Sequence, residues 1–280
     1  MTIVWFEGRL RDAEEPLVGA LDHGITVGDG VFETMLVLDG RAFALTRHLA
    51  RLARSATGLG LLPPDEDKIR DGVSAVLAVA PPETGRLRIT VTGGPGPLGS
   101  GRDGLAQTVL VAAGPATVAR ASRAARVSWV RNERSAVAGL KTTSYAENVV
   151  ALAAATEYGA DEALLANTRG ELCEGTGSNI VVERDGELLT PPLDSGCLAG
   201  ITRELLLEWG AAAGLPVREA TLPFEVLDDV VQGRAHAALT SSTRNVSPLA
   251  ALDGQDVSAG ELCLAAQELF ARKQTEDLDP

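Results

Sequence analysis

The chain has 280 residues, 45% of them hydrophobic, at a mean hydropathy of +0.09, which describes a globular protein with a full core in one large domain or two ordinary ones. A formal net charge of -13 and a pI near 4.7 argue against nucleic acid or an anionic membrane as a partner, because phosphate-rich surfaces demand a basic face. Cys173, Cys197 and Cys263 are widely spaced and offer neither a disulfide framework nor a metal site; with no basic leader and no long apolar stretch, a reduced cytoplasm is expected.

Ile3 to Phe6 and Arg9-Leu10 read as a first strand and turn, followed by a glycine- and aspartate-rich loop from Pro16 to Gly30. Val31 to Leu38, Asp39-Gly40 and Arg41 to Leu45 form a hairpin pattern on a two-residue turn. Thr46 is the expected N-cap of a helix whose Leu49, Leu52, Ala53, Ala56 and Leu59 share a face, ended by Gly60 and two prolines. A helix over 66–79 follows, then strands over Arg86 to Thr92 and Gln107 to Ala112, separated by the glycine-rich loop Gly93 to Gly101. Small residues and a proline mark a linker over 115–124 between an N-terminal α+β domain (1–114) and a larger C-terminal α/β domain (125–280). That second domain is expected to hold a strand at 127–130 and a helix at 145–158, then strands at 162–166, 179–183 and 187–190. Helices at 200–213, 223–232 and 259–272 alternate with strands at 216–220 and 236–241, and the tail from Gln274 to Pro280 is expected to be disordered.

Among 25 basic residues only Lys68, Lys141 and Lys273 are lysines. Lys68 and Lys273 sit in charged or polar runs, whereas Lys141 lies between apolar stretches. It is either a snorkelling surface lysine or one retained to lose its proton and attack a carbonyl carbon, which a guanidinium cannot do. Arg51 shares a helix face with His48 and is either surface charge or a phosphate fork. Gly200, Ile201 and Thr202 open a helix, as an ordinary cap or as an anion site built on free N–H groups. Thr240 to Thr243 end an apolar strand with four hydroxyls. Glu174 precedes the small-residue run to Asn179 and either caps a turn or lies beside a cofactor ring.

Six blocks stand in the order and spacing of class IV aminotransferases: Asp29 to Thr34, His48 to Leu52, Lys141 with Tyr145 and Asn148, Glu174 to Asn179, Leu198 to Thr202, and Thr240 to Thr243. The chain resembles that family from about residue 3 to 255. The resemblance implies the two-domain α+β arrangement called fold type IV, with pyridoxal 5'-phosphate in the inter-domain cleft, and a homodimer. It further implies that Lys141 forms the Schiff base and shuttles the proton, that Glu174 pairs with the pyridine nitrogen, and that Tyr145 bonds the ring's phenolic oxygen. Arg51, the N–H groups of Ile201 and Thr202, and Ser242 would hold the phosphate, with Gly200, Ser178, Asn179 and Ser241 completing the cofactor site. Val27, Phe32, Thr34, Leu36 and Thr243 fall at substrate-contacting positions.

Phe32-Glu-Thr34, and Val27 where branched-chain enzymes have an aromatic residue, look more like the D-amino-acid aminotransferase and 4-amino-4-deoxychorismate lyase branches. The arginines that those branches use are replaced by Leu36 and by Thr92-Gly93-Gly94, leaving Thr243, backbone donors, Arg102 or Arg131 to bind a carboxylate. The expected activity is transfer of an amino group between a D-amino acid, or an (R)-amine, and a 2-oxo acid. The alternative is the lyase, releasing pyruvate and 4-aminobenzoate, with a branched-chain aminotransferase behind both.

Overall fold

In a computed structural model, residues 1–102, 106–116 and 120–280 are described, so residues 117–119 of the expected linker lie outside the described residues. The chain divides into two compact units. One is Met1–Thr117 with Leu140–Tyr145 and Asp277–Pro280; the other is Val118–Gly139 with Ala146–Glu276.

The first unit contains β1 (Ile3–Phe6), β2 (Arg9–Arg11), α1 (His23–Thr26), β3 (Gly30–Leu38), β4 (Arg41–Ala42), α2 (Leu45–Gly58), α3 (Glu66–Val79), β5 (Thr84–Thr92) and β6 (Thr108–Pro115). Its strands form one antiparallel sheet in the order β2-β1-β6-β5-β3-β4. The expected hairpin closes with Leu38 opposite Arg41, and Asp39 and Gly40 both take positive φ (49° and 73°), the geometry of a two-residue turn. Alternation along β3 then divides its side chains. Val31, Met35 and Val37 join Leu49, Leu52 and Ala56 of α2 and Ile69, Val73 and Val76 of α3 in one buried core, whereas Phe32, Thr34 and Leu36 belong to the opposite face. Each of these Val, Leu, Ile and Met side chains, fully buried, contributes about 1.5–3 kcal/mol.

Two expectations for this unit are corrected. Helix α2 starts at Leu45, not after Thr46, and its cap residue Ala44 is left-handed (φ 55°) with no side-chain cap. The tail is ordered and takes over that role: Asp279 accepts the Thr46 N–H (2.8 Å) and hydroxyl (2.6 Å), Ala44 donates to the Leu278 carbonyl (2.7 Å), and Arg47 Nε donates to the Pro280 carbonyl (2.8 Å). A carboxylate there satisfies a first-turn donor and meets the positive end of the helix.

The second unit contains β7 (Ser122–Arg131), α4 (Ala146–Thr156), β8 (Glu162–Asn167), β9 (Leu172–Gly175), β10 (Asn179–Arg184), β11 (Glu187–Thr190), α5 (Ile201–Ala213), β12 (Val217–Glu219), α6 (Val226–Val231), β13 (His236–Ser241), β14 (Asn245–Leu252), β15 (Gln255–Asp256) and α7 (Glu261–Glu276). Its mixed sheet runs β12-β11-β10-β13-β14-β7-β8-β9, with β15 on β14. β9 and β14 are strands that the sequence reading does not contain; β14 carries Pro248, a residue that ordinarily argues against a strand. The core of this unit brings Leu164, Ile180, Val182 and Leu239 of the sheet against Val226, Leu227 and Val230 of α6.

Candidate active site

In the first unit the segment Leu140–Tyr145 runs along β3. The Phe32 N–H donates to the Lys141 carbonyl (3.1 Å), the Thr143 N–H donates to the Gly30 carbonyl (2.8 Å), and Thr142 bridges Val31. Lys141 is half-buried, with Nζ 4.5 Å from the centroid of the Phe32 ring, and Tyr145 meets the same ring edge-on at 5.2 Å. The ring thereby fixes where the only lysine among the sequence candidates points.

Beneath β3, Glu33 turns into the protein and is wholly buried. It accepts Arg51 Nε (2.8 Å) and Nη2 (2.7 Å), and His48 Nδ1 lies 2.6 Å from it. Burial alone would raise its pKa, yet the Arg51 guanidinium and His48 bring it down to about 2, so it is a carboxylate at neutral pH. Burial pulls the His48 pKa down, against the pull of Glu33, and keeps the imidazole neutral. The guanidinium expected to meet a phosphate is thus held in place by a buried carboxylate. Glu33 was passed over in the sequence, although a lone carboxylate in an apolar strand was the available signal.

Arg88 was missed as well. Its guanidinium carbon stands 3.8 Å over the Phe32 ring, its Nε donates to Thr90 (3.2 Å), and register places it directly opposite Thr34. It has no carboxylate partner among the described residues. The two arginines considered from sequence are both engaged: Arg102 clamps Asp29 through Nε and Nη2 (2.7 and 2.6 Å), and Arg131 donates to Glu174 (3.1 Å) and Asn148 (2.9 Å). Val27, on the same unit, is exposed beyond α1.

In the second unit Glu174 on β9 is buried and receives Arg131 Nε and the Leu198 N–H (2.9 Å). The loop that follows is held by buried Glu162, which accepts the Thr176 hydroxyl, the Gly177 N–H (3.1 Å) and the Ser178 hydroxyl (2.8 Å). Ser178 therefore spends its hydroxyl inside the protein. Asn179 donates to the Leu198 carbonyl (2.9 Å) and pairs with Thr240 in the sheet. A Cβ at Gly200 would fall 1.9 Å from Asn179 Oδ1, so only glycine fits at the start of α5, and that start has no side-chain cap. Ile201 and Thr202 form its first turn. Nearby in the sheet, the hydroxyls of Thr240 and Ser241 are buried with no hydrogen-bond partner, followed by Ser242 and Thr243. Uncapped N–H groups and orphaned hydroxyls are the donor set that a phosphate requires. The cysteine thiols compete for nothing here: all three are buried and free, and burial pushes Cys197 up to about 11.

Residues 30–252 match the amino-transferase class IV family. The chain is 32% identical over 239 residues to the bifunctional aminodeoxychorismate lyase / D-amino acid transaminase of Mycobacterium tuberculosis, covering 76% of this chain and 79% of that protein. It is 30% identical over 268 residues to the D-alanine aminotransferase of Bacillus licheniformis, covering 92% and 90%. The crystal structure of a branched-chain aminotransferase from Thermoproteus uzoniensis with norvaline superposes at a TM-score of 0.87, with 30% identity over 96% of this chain and 93% of that one. The chain belongs to the class IV aminotransferases, pyridoxal-phosphate-dependent enzymes of fold type IV. Its relatives carry three different named activities, so family membership alone does not choose among substrates. No helix among the described residues is long and apolar enough to cross a membrane.

Proposed function

We propose that the chain is a transaminase that moves an amino group between a D-amino acid and a 2-oxo acid. The observation that carries this reading is Arg88: a cation with no carboxylate partner among the described residues, stacked on the Phe32 ring over which Lys141 Nζ also lies and within electrostatic reach of Tyr145. Both reactants are carboxylates; Arg102 and Arg131 are held by Asp29 and Glu174, as Arg51 is by Glu33, whereas Arg88 is held by no carboxylate among the described residues. A guanidinium-to-carboxylate contact contributes about 1.5–3 kcal/mol, or roughly ten- to a hundredfold in affinity. Arg88→Gln should therefore lower kcat/KM for D-alanine by about that factor and leave kcat/KM for an (R)-amine that lacks a carboxylate unchanged. Equal loss for both substrates, or loss for neither, would remove Arg88 from carboxylate binding.

Pyridoxal phosphate supplies an electrophilic carbon for the amino group and a ring that takes up the electron pair released at the substrate's α-carbon. Lys141 Nζ would hold the cofactor and move the proton at that α-carbon. Glu174, fixed by Arg131 and the Leu198 N–H, would keep a proton on the pyridine nitrogen. Tyr145 would donate to the ring's phenolic oxygen. The phosphate would be held by Arg51, steadied by Glu33 in the first unit, and by the donors of Gly200, Ile201, Thr202, Ser241 and Ser242 in the second, a reading supported by the orphaned hydroxyls and the uncapped start of α5. Ser178 and Asn179 act by shaping that wall through Glu162 and Leu198. Val27, Phe32, Thr34, Leu36 and Thr243 contact the substrate.

The second reading is the 4-amino-4-deoxychorismate lyase, favoured by the 32% identity to a relative named for both activities. We also infer a homodimer, supported by Val149, Val150 and Leu152, which leave an apolar strip of α4 exposed. Three buried free thiols support a reduced cytoplasm as its location.

A further inference from the structure

The peptide unit of Lys141 is held from two sides. Its carbonyl accepts the Phe32 N–H on β3, and its N–H donates to Ser55 Oγ of α2 at 3.1 Å. Ser55 is 1% exposed and lies one turn beyond Arg51, so His48, Arg51 and Ser55 form one buried stripe of α2. Glu33 grips the first two residues of that stripe and thereby fixes the rotation of the helix that presents the third. The next turn continues the seat. A Cβ at Gly58 would fall 2.6 Å from Leu140 Cδ2, so the residue before the lysine packs directly on bare helix backbone. No feature of the Lys141 segment's own sequence calls for a serine 86 positions earlier.

We propose that Ser55 is a positioning residue for Lys141, setting the backbone from which the lysine side chain reaches the cofactor. This rests on Lys141 being the cofactor-bearing lysine. A lysine side chain has four rotatable bonds, and its amine can be held at one place only if its own backbone is held first. Ser55→Ala removes the acceptor and leaves the part-buried Lys141 N–H without it, whereas Ser55→Thr keeps a hydroxyl at the same place.

The test uses the holoenzyme and three readouts: the rate at which the visible lysine–cofactor absorbance returns when pyridoxal phosphate is added back after its removal, the pH midpoint of that absorbance, and the melting temperature. Ser55→Ala should slow the return about tenfold, the ratio that loss of one hydrogen bond of ordinary net strength produces, and shift the pH midpoint. Ser55→Thr should restore both. A Ser55→Ala protein with the wild-type rate and pH midpoint, whether or not its melting temperature falls, overturns the proposal. Lys141→Ala serves as the separate control: if that variant retained the absorbance, the lysine assignment itself would fall, irrespective of Ser55.

Discussion

Replacing Glu33 with Gln tests the foundation of the first unit. Glu33 is 0% exposed, and its two oxygens take three contacts from Arg51 and His48 between 2.6 and 2.8 Å. Glutamine removes the charge and turns one acceptor into a donor facing donors. Breaking a buried pair by removing one partner costs about 3–5 kcal/mol, because the other charge stays buried. At about 2–4 °C per kcal/mol for chains of this size class, the melting temperature should fall by roughly 10 °C. The pH dependence gives an independent reading with a definite sign. The folded pKa of about 2 lies below the reference value of 4.5, so the stabilisation is complete above pH 4.5 and is lost as pH falls toward 2. The difference corresponds to about 3 kcal/mol. His48 acts in the same direction: its lowered pKa makes its contribution complete above its ordinary value of 6.5 and lost on acidification. Urea unfolding between pH 3 and 7 should therefore show a steep acid limb in the wild type and a shallower one in Glu33→Gln. Equal melting temperatures, or parallel acid limbs, would refute the account of Glu33 as the buried counter-ion of Arg51.

Glu174→Gln should reduce kcat by at least a hundredfold while cofactor affinity changes little, since the phosphate donors lie elsewhere in the sequence; a matching loss in both would show that Glu174 supports the fold of the site and not its chemistry. Asp279→Ala should lower the melting temperature by a few degrees, as loss of a helix cap of about 1 kcal/mol implies, and calorimetry that showed no change would return the tail to the status of a passive extension.

What the sequence made legible was what local pattern and short motifs carry. The hairpin at Asp39-Gly40 follows from two residues that tolerate positive φ. Ile201 to Ala213 follows from helical periodicity, and His236 to Ser241 from an apolar run. Contacts made across long stretches of chain could not be read that way. Asp279 caps a helix 233 positions earlier, so polar residues that read as a solvated tail are in fact ligands for N–H groups. Pro248 argues locally against β14, since the cost of a missing N–H is a local signal, whereas the neighbouring strands that hold the segment are not. In the site, Lys141 and Glu174 stood out by type and setting. Arg88 did not, because alternating Arg86-Leu87-Arg88 reads as the solvated face of a strand until the register puts Phe32, Thr34 and Lys141 on the same side. Arg102 and Arg131 looked available for the converse reason: nothing local reveals Asp29 or Glu174 as their partners.

The most direct test of the central claim is to mix the cofactor-loaded protein with D-alanine, in the absence of any 2-oxo acid, and follow the visible absorbance of the lysine–cofactor link. Transamination predicts stoichiometric loss of that band with release of one pyruvate per site, and its return on adding a 2-oxo acid. A band that survives D-alanine, together with catalytic release of pyruvate from aminodeoxychorismate, would contradict the transaminase reading and make the chain the lyase.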